Sequence, residues 1–143
     1  WEDVYNQAFV NWVEPVLPQD RPLVLGNYPA QVECLAARVP GTPWKDRWEL
    51  YAGGMELANC YTELADPEAV RASLVKEEER KRTSLFPHRV DLSYAELFRD
   101  FPPCSGVAMG FDRFLLALTG RTDIRDAILF PFEDAFRRWG SGR

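Results

Sequence analysis

The chain has 143 residues, 46% of them hydrophobic and 13% aromatic, with a formal net charge of −5 and a pI near 4.9. That length fits one domain with enough apolar content to fill a core. The acidic balance argues against a nucleic-acid-binding module, which would show a basic face, but not against a small anionic ligand held by a few placed residues. No apolar run approaches the ~18–20 residues of a membrane span, so no membrane partner is expected. The N-terminal "WEDVYNQAF" carries acids and no basic stretch, unlike a signal peptide. The first residue is Trp1 rather than Met, and the chain reads as a piece of a longer protein. Cys34, Cys60 and Cys104 are odd in number and show no paired spacing. This argues against a disulfide framework or zinc site and points to a reducing cytoplasm.

In chain order, residues 3–13 place Val4, Phe9, Trp12 and Val13 near one helical face. "EPVLPQDRP" ends that helix, because each proline disfavours helix in the residue before it. "PLVLGNYP" reads as one short buried strand closed by Gly26 and Pro29, "AQVECLAARV" as a short helix, and "PGTPW" as a loop. Residues 47–64 read as two strands joined at Gly53-Gly54, a two-residue hairpin signal. Asp66 caps a helix with Pro67 at its first position. That helix runs to about Arg82, with Glu77–Lys81 and Glu78–Arg82 at helical i,i+4 spacing on a solvated face. "SLFPHRVD" is a loop, and its His88, the single histidine, reads as a solvated residue. A Ser-His or Cys-His catalytic pair therefore has little to stand on. "SYAELFRDF" reads as a short helix capped by Ser93, "SGVAMG" as a strand, "DRFLLALTG" as a helix stopped by Gly120, and "AILFPF" as a final strand. Helices mix with hairpin strands without repeating βαβ units, which predicts an α+β fold with an antiparallel sheet flanked by helices.

Two segments carry candidate chemistry. On a strand, side chains alternate faces. In "CSGVAMGFDRFLL" this puts Gly106, Ala108 and Gly110 on one face, and Val107, Met109 and Phe111 on the other, which reads as core. The first face is almost bare, and a flat ring or a backbone can approach it closely. Close packing against a helix accounts for the same pattern. Arg113 follows in the first turn of the next helix, where a guanidinium can stack on a purine and reach phosphate oxygens.

The second segment is "WELYAGGMELANCYTEL", with Glu49, Glu56 and Glu63 spaced by sevens. A two-residue turn at Gly53-Gly54 sets Tyr51 opposite Glu56 and Glu49 opposite Ala58, so Glu49 and Glu56 share a face. Carboxylates on adjacent strands repel unless a cation or donor lies between them. Mg²⁺ takes one or two protein carboxylates plus substrate phosphates. Two solvated acids on an edge are the alternative. Strict alternation puts Asn59, Tyr61 and Glu63 on the opposite face. An amide, a phenol and a carboxylate suit a lysine-like ligand. If both sets serve one pocket, a β-bulge near Ala58 must break the alternation.

"RWELYAGGMELANCYTEL", "GVAMGFDRFLLALTG" and "TDIRDAILFPF" together resemble the C-terminal half of a class II aminoacyl-tRNA synthetase catalytic domain, closest to lysine-type enzymes. The resemblance runs from about Trp1 through Phe132 and makes residues 1–143 a single portion of that domain. "GVAMGFDR", in the stretch 105–119, is similar to class II motif 3. This implies an ATP contact for Arg113 and adenine-side roles for Gly106 and Gly110. The hairpin implies ATP and Mg²⁺ at Glu49 and Glu56, with Leu57 beside the nucleotide. It also implies an amino-acid pocket of Asn59, Tyr61 and Glu63, with Glu63 toward the substrate ammonium.

Two subfamilies compete. One is lysyl-tRNA synthetase, which charges tRNA(Lys). The other is its tRNA-independent paralogue, which attaches a β-lysyl group to a lysine of elongation factor P. Cys104-Ser105 and Ala108, where the synthetases usually carry glycine, resemble the paralogue. "YPAQVECLA" also lacks the synthetases' Ser-Pro-Leu-Ala, whereas "DIRDAILFP" reads more like the synthetase. Cys60 and Tyr61 depart from the usual glycine and phenylalanine. The resemblance implies a cytoplasmic, homodimeric parent that activates lysine or β-lysine with ATP. Nothing in the chain resembles motif 1 or the motif 2 arginine, so the 143-residue piece is expected to be inactive alone. A non-catalytic, synthetase-like binding module is the reading from another class. Retention of Glu49, Glu56, Glu63 and Arg113 argues against it.

Overall fold

The computed structural model describes residues 1–131. Its centre is the hairpin predicted at Gly53-Gly54. Strand β4 (Arg47–Ala52) turns into β5 (Met55–Thr62) through two glycines at φ 58° and 74°. Both angles lie in the left-handed region that suits glycine. Strand β1 (Leu23–Leu25) flanks β4, and β6 (Ser105–Met109) flanks β5, giving an antiparallel sheet in the order β1-β4-β5-β6. A second, two-stranded sheet joins β2 (Tyr28–Pro29) to β3 (Trp44–Lys45). Helices α1 (Glu2–Ala8), α2 (Pro67–Arg82) and α3 (Phe111–Thr119) complete an α+β arrangement, as expected.

Helix α2 begins as predicted. The Asp66 carboxylate accepts the Glu68 N–H at 3.0 Å, with Pro67 in the first turn. Its Val70 is fully buried against Ala95 and Phe98, with Leu35, Leu64 and Leu74 around them. Glu77 pairs with Lys81 at 3.4 Å, and Arg80 reaches Glu2 at 3.0 Å, tying α2 to the N-terminal helix. Helix α3 ends at Gly120, whose φ of 66° is the left-handed stop expected there. His88 lies exposed in its loop. None of the described helices is long and apolar enough to cross a membrane.

Five local expectations are corrected. The N-terminal helix is regular only to Ala8; Phe9–Val13 widen into a π-turn and Glu14–Val16 tighten into a 3-10 turn before Leu17. Its Val4 and Trp12 are 71% and 75% exposed, so the apolar stripe covers no core here. "PLVLGNYP" is two strands in two sheets, divided at Gly26-Asn27, where Asn27 adopts φ 58°. Residues 30–39 are not helical. Their backbone groups bond outward: Ala37 N–H to Thr62 O, Leu64 N–H to Leu35 O, and Asp46 N–H to Ala37 O. The buried Lys45 ammonium donates to the Cys34 and Ala36 carbonyls at 2.7 and 3.2 Å. Satisfying these groups through partners distant in sequence removes the need for helical i→i+4 bonds.

Residues Leu92–Phe98 form a 3-10 helix, and its cap is Asp91, which accepts from the Ser93 N–H and hydroxyl. Lastly, the expected strand at 127–132 is absent over its described part. A 3-10 turn at Ile124–Asp126 leads into irregular chain up to Pro131, and Phe132 lies outside the described residues.

Candidate functional site

Strand alternation puts Arg47, Glu49 and Tyr51 on one face of β4. Across the ladder Arg47 pairs with Tyr61, Glu49 with Asn59 and Leu50 with Ala58, but Tyr51 pairs with Glu56. Leu57 is therefore an extra residue in β5, a bulge adjoining Ala58 where a break was expected. The expected pairing of Glu49 with Ala58 is corrected by one position. The bulge's consequence is that Glu56, Asn59 and Tyr61 all lie on the Glu49 face. On the other side of β5, Asn59 pairs with Ala108 and Tyr61 with Gly106, which brings the small residues of β6 to the same face. Glu63 continues it, its Oε1 standing 3.2 Å from where a Cβ on Gly106 would be. Asn59, Tyr61, Glu63, Gly106, Val107 and Ala108 line an open cleft of about 380 Å³.

The face has two ends. From Glu56 to Glu63, at about 3.3 Å per residue, is roughly 20 Å. At the first end, Arg113 rises from the first turn of α3. Its Nη1 donates to the Glu56 carbonyl at 3.0 Å and lies 4.0 Å from the Glu56 carboxylate. The helix is held there because the Gly110 N–H donates to the carbonyl of the bulge residue Leu57 at 2.9 Å. Burial and then the negative charge of Glu49 raise the Glu56 carboxyl above its ordinary range, against the opposing pull of Arg113. At the second end, burial and the Glu63 carboxylate push the Tyr61 phenol up, so it stays a neutral donor.

Glu49 is placed differently from Glu56. It is 5% exposed. Its Oε2 accepts from the Tyr28 hydroxyl and, at 3.0 Å, from the Tyr51 hydroxyl, while its Oε1 accepts from Arg47 Nη2. Arg47 also lies over the Tyr28 ring, 4.5 Å from its centroid. Burial and hydrogen bonding to Glu49 hold both phenols well above the ordinary tyrosine range, as donors. Burial works against the Arg47 cation, but Glu49 outweighs it and the guanidinium is held charged. Arg47 Nε and Asn59 Oδ1 are buried with no hydrogen-bond partner among the described residues.

The structure thus brings Glu49, Glu56, Asn59, Tyr61, Glu63, Gly106 and Ala108 to one face, and Arg113 to its end. It shifts two expectations. Gly110, expected on one strand face with Gly106 and Ala108, instead caps α3 beside Arg113, while Gly106 lies against Glu63. Val107, Met109 and Phe111, expected in a core, are 62%, 50% and 67% exposed. Sequence reasoning missed Arg47 and Tyr28. The period-two pattern of "RWELY" could have found Arg47. Tyr28 carries no such signal, because it arrives from the other sheet.

A magnesium ion shared by Glu49 and Glu56 fits only in part. Glu56 has a half-open carboxylate with no cation in hydrogen-bond contact. Glu49 has both oxygens engaged by three donors of the chain itself. Among the described residues no group of three or more His, Cys, Asp or Glu is placed to hold a metal ion.

Residues 16–134 match the family of tRNA synthetases class II (D, K and N). The lysine–tRNA ligase of Anaeromyxobacter sp. (strain K) is 38% identical over 128 residues, covering 87% of this chain and 25% of that protein. That of Chloroflexus aurantiacus is 33% identical over 141 residues, covering 92% and 27%. That of Pelotomaculum thermopropionicum is 36% identical over 134 residues, covering 92% and 26%. The chain spans about a quarter of the length of these relatives.

Proposed function

We propose, from the premise that this chain belongs to the class II tRNA synthetase family (D, K and N), that it supplies one wall of a site activating a lysine-like amino acid with ATP. The observation that carries this reading is the bulge at Leu57, which aligns an acid–amide–phenol set with an arginine end on a single face. The named relatives are lysine–tRNA ligases, which agrees with lysine as the substrate class.

Each residue then has a physical task. Glu63 pairs with the side-chain ammonium at the far end of the cleft, and the bare Gly106 leaves it room. Tyr61 flanks the aliphatic stem. Asn59, whose buried Oδ1 is without a partner among the described residues, accepts from an amine of the substrate. Ala108 forms the floor beside it. Arg113 stacks on the base or holds phosphate oxygens. Glu56 and Leu57 face the nucleotide end, with Gly110 turning the chain into α3. A magnesium ion accompanying the triphosphate would neutralise phosphate charge, and Glu56 is the carboxylate open to it. Acceleration in such a site comes from placing carboxylate and α-phosphate together and stabilising developing charge.

The amino-acid carboxylate attacks the α-phosphate and pyrophosphate leaves, giving an aminoacyl-adenylate. Cys104-Ser105 and Ala108 favour a lysine of elongation factor P as acceptor, and β-lysine as donor. The relatives' names favour tRNA(Lys). The test is ATP–pyrophosphate exchange by the full-length protein with α- and β-lysine, followed by transfer to each acceptor. Exchange with either isomer, abolished in Arg113→Met, is expected. Nucleotide binding without exchange would move the reading to a non-catalytic binding module. The 143-residue chain alone is expected to show no exchange.

A further inference from the structure

We infer that Glu49 is a positioning residue that locks Arg47 beside the amino-acid end of the cleft, and that it does not ligate the metal accompanying ATP. The inference rests on the functional reading above. A carboxylate offers about four lone-pair sites. Tyr28 and Tyr51 fill two on Oε2, and Arg47 fills one on Oε1. The remaining site belongs to an oxygen already bonded to a cation, on a residue 5% exposed. A divalent ion there would meet the Arg47 charge at close range, in a buried position. Glu56 carries no such engagement. Its side chain is 35% exposed and its nearest cation, Arg113, is 4.0 Å away.

What the Glu49 contacts achieve is visible in the ladder. Arg47 pairs directly with Tyr61, so anchoring Arg47 fixes the wall on which Tyr61 stands. Tyr28 reaches the same carboxylate from the second sheet and lies under the Arg47 guanidinium. The two sheets are thereby joined at one carboxylate on the same face as the cleft, beside Asn59. Three donors on one acid make a rigid support of the kind that orients neighbouring binding residues.

The test uses the full-length protein, with Mn²⁺·ATP affinity followed by electron paramagnetic resonance and α- and β-lysine affinity by calorimetry. Glu56→Gln is expected to weaken Mn²⁺·ATP binding about tenfold or more, and Glu49→Gln by less than about threefold. Glu49→Gln is expected to weaken binding of the preferred lysine isomer about tenfold, Arg47→Lys to do the same, and the double variant to be no worse than either. Loss of Mn²⁺·ATP in Glu49→Gln matching that in Glu56→Gln, with lysine binding intact, overturns the inference. Should Glu49→Gln fail to fold, Tyr28→Phe decides. Weaker lysine binding with unchanged Mn²⁺·ATP supports the inference, whereas tighter Mn²⁺·ATP, from a freed Glu49 oxygen, sinks it. If the wild type binds lysine but no Mn²⁺·ATP, the nucleotide reading fails, and the coupling of Arg47 to Glu49 still decides the positioning role. If it binds neither, both fall.

Discussion

Glu49 stands opposite Asn59, two residues along β4 from the pairing of Tyr51 with Glu56, and the one residue unaccounted for between them is Leu57. That single insertion puts the acids of the hairpin and the amide, phenol and acid beyond it on one face. Leu57 is 5% exposed and its carbonyl takes the Gly110 N–H. The bulge therefore also docks the Arg113 helix. Leu57→Ala leaves the backbone bond but removes the buried side chain, and should cost about 2–4 kcal/mol. Urea denaturation measures it; a loss under ~1 kcal/mol would show that the site can collapse around the gap.

Glu49→Ala removes the acceptor shared by Arg47, Tyr28 and Tyr51 and leaves a buried guanidinium uncompensated. The Arg47 side chain is 15% exposed, so solvent relieves little of this. A destabilisation of about 3–5 kcal/mol is expected. Thermal unfolding of the variant beside Glu49→Gln, which keeps the shape and loses the charge, separates charge from packing.

Gly106→Ala brings a methyl to 3.2 Å from Glu63 Oε1. The carboxylate end of a glutamate can yield by a few tenths of an ångström, so stability should change by less than ~1 kcal/mol. The displaced acid should nonetheless bind an ammonium less well. Calorimetry should show several-fold weaker lysine binding without a matching change in the denaturation midpoint.

Lys45 is buried and donates to two carbonyls of the non-helical segment 30–39. Lys45→Met fills the space and orphans those acceptors, at a cost of about 1–3 kcal/mol. Hydrogen exchange should report it first at Ala37, whose N–H ties this segment to Thr62.

Asp123 accepts from the Arg125 side chain and its backbone N–H, which hold its carboxyl down to about 2 from 3.8. A depressed folded value means the unfolded chain binds the proton first as pH falls. The stabilisation is complete above pH 3.8 and is lost as pH drops toward about 2. Asp123→Asn should flatten that part of the acid limb in a series of urea midpoints taken from pH 4.5 to 2. An unchanged slope would refute the assignment.

Much of the site was legible because its signals are local. Gly53-Gly54 can adopt positive φ whatever surrounds it, so the turn and the opposition of Tyr51 to Glu56 could be read directly. Asp66-Pro67 and Gly120 start and stop their helices through bonds to residues only a few positions away. Segments whose backbone partners are distant were misread. The stretch 30–39 has helical composition, but Lys45, Asp46, Thr62 and Leu64 take its hydrogen bonds. One local signal was misread as well: Asp91, rather than Ser93, caps Leu92–Phe98, because its carboxylate accepts both the Ser93 N–H and hydroxyl.

By itself, the sequence determined the hairpin and its family, and it singled out the acid–amide–phenol set that we propose binds a lysine-like substrate, since these depend on residue type and short spacing. Only the tertiary structure decided how the acids divide. Glu49 and Glu56 are alike in chemistry and adjacent in the ladder. Tyr28, from another sheet, and Arg47 and Tyr51, from the same strand, converge on the first and leave the second open. Burial and donor supply are properties of what packs around a carboxylate, and no spacing along the chain encodes them.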